Sequence, residues 1–268
     1  MEISNLTRQR IKEFLDKGKR FDERELLNFR KLEIETEISK NAEGSCKIKM
    51  GDTEVIAGVK IDVAEPYTDS EEEGNLITTC ELLPLSSPKF ELGPPGIEAI
   101  EIARIVDRSI RNSGIVDFKK LCIKKGEKVY VMLVDIYPLN EDGNLIDAAC
   151  LASAIAIRTA KMPKYDEKKE KVKYGDLTSK SLPLTGKMPI TITFHKIGNS
   201  ILIDPVREEE ESSEARLTIT LTEGKEILIN AIQKGGEKTF SQEEIEKIID
   251  LATEKFKELS EKVEKSIK

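Results

Sequence analysis

The stretch that most constrains this chain runs from Gly96 to Arg111. At about 100° per residue, Arg104, Arg108 and Arg111 fall in one narrow stripe of a helix, and Ile102, Ile105, Val106 and Ile110 fall opposite. The apolar side must be received by a core. The outer side holds three guanidiniums on a rigid rod, a geometry suited to successive phosphates of a nucleic-acid strand. The same arginines could equally form a solvated face paired with Glu98, Glu101 and Asp107. The helix alone does not separate these readings.

The chain has 268 residues, enough for one large or two modest domains, and carries a formal charge of −7. That balance argues against a general polyanion binder, so any contact with nucleic acid must be local and carried by clustered arginines. Cys46, Cys80, Cys122 and Cys150 stand far apart, form no CxxC pair and lie in or beside apolar runs. They read as reduced core residues. No stretch approaches a membrane span, and Met-Glu-Ile-Ser at the start lacks the basic and apolar regions of a secretion signal. The expected compartment is the cytoplasm.

Along the chain the pattern predicts a helix from Leu6 to Lys17, then strands over Arg30 to Glu37, Gly44 to Met50, Val55 to Val63 and Leu76 to Leu83. Gly51-Asp52 is a tight-turn dipeptide. A proline-punctuated loop leads to the arginine helix. Strands follow near Lys120 to Ile123 and Val129 to Leu139. Asp147 is the expected N-cap of an alanine-rich helix from Ala148 to Lys161, which Pro163 stops. Tyr165 to Lys180 reads as a charged linker. Strands at Ile190 to His195, Ser200 to Asp204, Ala215 to Thr222 and Glu226 to Gln233 come next. A Gly235-Gly236 turn then precedes a terminal helix from Ser241, with Ser241 and Glu244 as a capping box. The class is α+β, two sheet-plus-helix lobes over residues 1–188, including the leading helix, and 189–268.

His195 is the only histidine, which excludes a histidine-dependent triad or a histidine zinc site, and its alternating strand points to a structural role. Gly235-Gly236 lacks the lysine and hydroxyl of a phosphate-cradling loop. Glu208 to Glu211 with Glu214, after Asp204, could hold Mg²⁺ through hard oxygen ligands. As a bare charge run it is a solvated loop.

Four motifs in order resemble the RNase PH family, the phosphorolytic exoribonucleases and their relatives in the exosome ring. Glu101-Ile-Ala-Arg-Ile-Val-Asp-Arg-Ser-Ile-Arg111 resembles the family's arginine helix, and Met50-Gly-Asp-Thr-Glu-Val-Ile-Ala-Gly-Val59 its early hairpin. Leu139-Asn-Glu-Asp-Gly143 resembles the motif before its alanine-rich helix, and Phe240-Ser-Gln-Glu-Glu-Ile the entry to its last helix. The likeness implies the RNase PH fold, a β/α sandwich of the ribosomal protein S5 domain 2 type.

The departures carry as much information. Where active members hold inorganic phosphate with a Gly-Thr-Arg-(Ser/Thr) turn, the aligned residues are Asn144, Leu145, Ile146 and Asp147. Glu98 aligns with an arginine. Two aspartates six residues apart, implicated in metal binding and leaving-group protonation, align with Glu210 and Arg216. The resemblance therefore implies a catalytically silent ring subunit, with no catalytic or metal-binding residue of its own. It would form a heterodimer with an active RNase-PH-like partner, three such dimers closing the ring beneath RNA-binding cap subunits. Arg104 and Arg108 would clamp the phosphates of single-stranded RNA, with Arg111 behind them or capping its helix. The subunit would bind no cofactor, although the complex would use phosphate and Mg²⁺. Two alternatives stay open: an autonomous phosphorolytic ribonuclease with a pocket rebuilt around Asp204 and Glu208 to Glu211, or a pure scaffold without RNA contact.

Overall fold

Two antiparallel-rich sheets, each fed by alternating apolar strands, enclose a layer of helices in the computed structural model, which describes residues 3–267. Met1 and Glu2 of the opening tetrapeptide lie outside the described residues. The first sheet joins β1 (Leu32–Thr36), β2 (Gly44–Met50), β3 (Thr53–Ala64), β6 (Lys128–Asn140) and β4 (Asn75–Cys80) in that order. The short β5 (Cys122–Lys124) also pairs with β6. β4 runs parallel to β6 and the other neighbours are antiparallel. The second sheet has the order β10 (Ser200–Ile203), β9 (Ile190–Ile197), β11 (Ala215–Glu223), β12 (Ile227–Gly236).

Between the sheets lie α2 (Ile97–Ser113) and α3 (Leu145–Thr159). Every residue of α3 from Leu145 to Ile157 is buried, because it meets the first sheet on one side and β9 on the other. Small residues permit that fit. A Cβ at Gly44 of β2 would come within 2.2 Å of the Ala156 carbonyl oxygen, so only glycine lets the strand approach so closely. The outer face of the second sheet is covered by α5 (Gln242–Ile267), whose Ile248, Ala252, Phe256 and Leu259 pack on Ile190, Ile192, Phe194 and Ile219.

β9 consequently shows two characters. Its even residues face α5, and Thr191 and Thr193 face the interior with hydroxyls paired to Thr220 and Thr218 at 2.8 and 3.0 Å. Asp147 is fully enclosed there, accepting from the Thr193 N–H at 3.0 Å and its hydroxyl at 2.7 Å. Asp147 is therefore not the N-cap. Asn144 takes that position in the left-handed region at φ 59°, and the helix begins three residues earlier than its alanine run suggests.

Other expectations change too. The segment read as a linker is a hairpin of β7 (Lys161–Asp166) and β8 (Lys171–Ser181), and Pro163 sits inside a strand. Gly235 and Gly236 end β12 rather than forming a separate turn. The leading helix α1 (Asn5–Leu15), placed with the first lobe by the sequence, packs on the second: Ile11 and Leu15 join Ile197 and Leu202. The glutamate run forms a short helix, α4 (Arg207–Glu211), not a solvated loop, and Glu209 is buried. The capping box at Ser241 and Glu244 forms as expected. The four cysteines are free, and burial lifts the Cys46, Cys80 and Cys150 thiols to about 12.

Candidate nucleic-acid interface

α2 buries Ile102, Ile105, Val106 and Ile110 against the first sheet and leaves Arg104, Arg108 and Arg111 exposed on its other side. The three guanidiniums are not equivalent. Arg104 has no hydrogen-bond or ion-pair partner among the described residues. Arg108 donates to the Gln233 side chain at 2.6 Å, an exposed neutral contact. Arg111 is engaged: its Nε meets Asp107 at 2.9 Å and its Nη2 donates to the Leu76 carbonyl at 2.8 Å. It thus reaches sideways to the edge of β4, not back to the carbonyls at its own helix end. The expected partners differ as well. Glu101 pairs with Arg216 at 2.5 Å, and Glu98 lies 3.6 Å from Lys89. Only Asp107 pairs within the stripe.

Beside this stripe a groove of about 660 Å³ runs between α2 and the β4–β6 edge, lined by Arg104 and Arg108 on one side. A single charge reversal would change the electrostatics of this wall without disturbing the core, because both side chains are exposed.

A second arginine cluster escaped the sequence reading. Arg20, Arg24 and Arg30, spread along the segment after α1, converge on the end of β10. Asp204, fully buried with φ at 46°, accepts from the Arg30 N–H at 2.6 Å, from Arg30 Nη2 at 2.7 Å, from Arg24 Nη1 at 3.1 Å and from Asn144 Nδ2 at 2.9 Å. Arg20 forks onto Glu209 and the carbonyls of Ile203 and Asp204. Charges this deep are tolerable only when each is paired and hydrogen-bonded. The spacing signal was weak, since the arginines and their carboxylates lie more than 170 residues apart.

His195 is enclosed, with Nδ1 3.1 Å from the Ser213 hydroxyl. Burial, reinforced by Arg216, lowers its pKa to about 3, so it stays neutral and structural.

Residues 28–163 match the profile of the 3′ exoribonuclease family, domain 1, and residues 187–255 match domain 2. The chain belongs to the RNase PH family. A Thermococcus onnurineus protein described as exosome complex component Rrp42 is 43% identical over 98% of this chain and 96% of its own length. The protein of the same description from Methanothermobacter thermautotrophicus is 40% identical over 99% and 97%. A chain from the structure of the Archaeoglobus fulgidus exosome with RNA bound to the active site superposes with a TM-score of 0.87 at 38% identity, covering 97% of this chain and 98% of that one.

Against the RNase PH pattern, the positions that the likeness gives to phosphate and metal are occupied by the chain's own groups. Leu145, Ile146 and Asp147 are buried, and Asp147 is spent on Thr193. The Asn144 N–H at the head of α3 donates to Glu210 at 3.0 Å. Burial raises the Glu210 carboxyl to about 7 despite Lys89 and Arg216 nearby. Arg216 lies over Gly235, where a Cβ would come within 2.8 Å of its guanidinium. A divalent cation beside a guanidinium is repelled, and one carboxylate with a raised pKa makes a poor ligand set. Glu210 and Arg216 do not fit a Mg²⁺ site. Among the described residues, no group of three or more His, Cys, Asp or Glu converges to hold a metal.

Proposed function

We propose that this chain is a non-catalytic, RNA-gripping subunit of an exosome ring, paired with an active RNase-PH-like subunit and assembled as a trimer of dimers beneath RNA-binding cap subunits. Its full-length likeness to archaeal exosome components supports membership of the complex. One observation carries the division of labour: α2 keeps Arg104 open and Arg108 lightly held, while Glu210, Asp147 and Arg216 are turned to internal partners. Phosphorolysis needs a bound phosphate, charge neutralisation and an acid for the departing 3′ oxygen. This chain supplies the grip on the strand. The partner supplies the chemistry, with phosphate and Mg²⁺ bound there and no cofactor held here.

Arg104 and Arg108, one helical turn apart, would each donate to a phosphate oxygen of single-stranded RNA in the cytoplasm. Backbone contacts of this kind carry little sequence preference. Residues 1–188, including the leading helix, and 189–268 are the two units of this reading, and that helix packs across onto the second. Asp204 and Glu209 are engaged by buried arginines, which argues against the rebuilt-pocket alternative.

The test is nucleoside diphosphate release from a short RNA with phosphate and Mg²⁺, by the chain alone and with its active partner. Silence alone and turnover together are expected. Turnover by the lone chain would show that its active site lies elsewhere.

A further inference from the structure

The groove beside α2 has two walls of opposite character. On one stand Arg104 and Arg108, with Asp107 between them engaged by Arg111; on the other, Thr78 and Thr79 of β4, Glu81 just beyond it, and Asp135 of β6. The floor between them is apolar, built from Ala99, Ile100 and Ala103 over about 14 Å of helix from Ala99 to Arg108. The acidic wall is held in place. Thr79 donates its hydroxyl to Asp135 Oδ1 at 2.7 Å, and the Tyr137 hydroxyl donates to Glu81 Oε1 at 3.1 Å. Asp135 Oδ2 and Glu81 Oε2 have no protein donor among the described residues.

A polyanion site would not be expected to carry carboxylates opposite its arginines, since they repel phosphate. They make sense if the ligand offers hydroxyl donors on the side away from its negative charge. A ribonucleotide does so: the phosphodiester is an anion, and the 2′-hydroxyl is a hydrogen-bond donor that deoxyribose lacks. We propose that this groove is a ribose-reading subsite. Arg104 and Arg108 take the phosphates, Asp135 and Glu81 accept from 2′-hydroxyls, and a base lies on the Ile100 floor. The acidic wall also sets the strand's orientation, because it turns the phosphates toward α2. This rests on the RNA-gripping reading above and adds to it the means of telling RNA from DNA.

The experiment uses the full chain assembled with its active RNase-PH-like partner. Binding of a 5′-labelled RNA and a DNA of the same sequence is followed by fluorescence anisotropy, for wild type and for the double variant Glu81→Ala/Asp135→Ala. Both residues lie at the surface, and size-exclusion chromatography checks assembly. The double variant is expected to bind RNA about tenfold more weakly, because two lost charge-assisted hydrogen bonds are partly offset by relieved repulsion of the phosphates, with DNA binding unchanged or tighter. Electrostatics alone predicts the opposite sign for RNA. If RNA and DNA both tighten, or neither changes, or both weaken alike, the ribose-reading role is overturned. Failure of the variant to assemble overturns it too, and makes the groove a seat for the partner protein. The underlying RNA reading fails separately: Arg104→Glu/Arg108→Glu would then leave the binding of both strands intact.

Discussion

This molecule uses arginine in two opposite ways, on α2 and at the end of β10. At β10, Arg20, Arg24 and Arg30 are sunk against Asp204 and Glu209, every fork filled. On α2, Arg104 and Arg108 stand in solvent with almost none of their donors used. The residue type is the same, and the difference lies in the counter-charge. A buried guanidinium needs carboxylates and carbonyls to offset its desolvation, and once satisfied it has nothing left for a ligand. An exposed guanidinium keeps its fork for whatever anion arrives.

The comparison breaks first at Asp204. Asp204→Ala leaves Arg30 and Arg24 without their shared acceptor inside the protein, and removing one partner of a buried ion pair typically costs about 3–5 kcal/mol. The expected outcome is a large drop in the urea midpoint, or failure to accumulate folded chain. A change under about 1 kcal/mol would mean that water reaches this cluster freely.

Next in size is the α2 pair. Arg104→Glu/Arg108→Glu should weaken RNA binding by the assembled complex by at least about a hundredfold, from two charge-assisted contacts. Stability should stay within about 0.5 kcal/mol of wild type, since neither side chain supports the core. The salt dependence of RNA affinity should flatten by about two phosphate contacts. Unchanged affinity would assign these arginines to a solvated face.

Asp147 sharpens the contrast from the other side, as a buried carboxylate with no arginine. Thr193 donors and the Asn144 side chain face it, and burial outweighs them and raises its pKa to about 7. The folded chain therefore holds a proton that the unfolded chain releases near pH 4. The stability this group contributes is full below that pH and is lost as pH rises through about 7. Asp147→Asn keeps the shape and an acceptor for the Thr193 N–H. It should match wild type near pH 4 and exceed it at pH 8 by about 1–3 kcal/mol, measured by thermal unfolding across pH. Glu210, raised for the same cause, leaves part of the slope in place.

What could be read in the sequence follows from how local each signal is. The α2 stripe was legible because its arginines and isoleucines share one helical repeat, and β2 and β3 were legible from alternation around Gly51-Asp52. The β10 cluster was not, because its members are brought together only by the fold. The linker reading failed for a related reason: Lys and Glu dominate Tyr165 to Lys180, but the strands there pair with each other at the surface, where charged side chains cost nothing. Asp147 was misplaced because an aspartate before an alanine run looks like a cap, and only the second sheet supplies Thr193. The acidic wall of the groove was invisible, since Glu81 and Asp135 meet only through the β4–β6 pairing.

Arg111 offers the smallest effect and the finest test, because it lies within the exposed stripe yet behaves like the buried cluster. It belongs to the same sequence motif as Arg104 and Arg108, and periodicity alone cannot rank the three. Its guanidinium is shared between Asp107 and the Leu76 carbonyl, with the Phe118 ring centroid 6.0 Å away. The Leu76 carbonyl lies on β4, the edge strand of its sheet, so this bond ties α2 to the sheet's edge. Arg111→Ala should therefore cost about 0.5–1 kcal/mol of stability, the range of a part-exposed hydrogen bond and ion pair. RNA affinity of the complex should stay within about twofold of wild type, well short of the loss expected for Arg104. The reverse result, intact stability with weakened RNA binding, would mean that RNA displaces Asp107 and Leu76 from this guanidinium. The line between saturated and open arginines would then be drawn by the ligand, not by the fold.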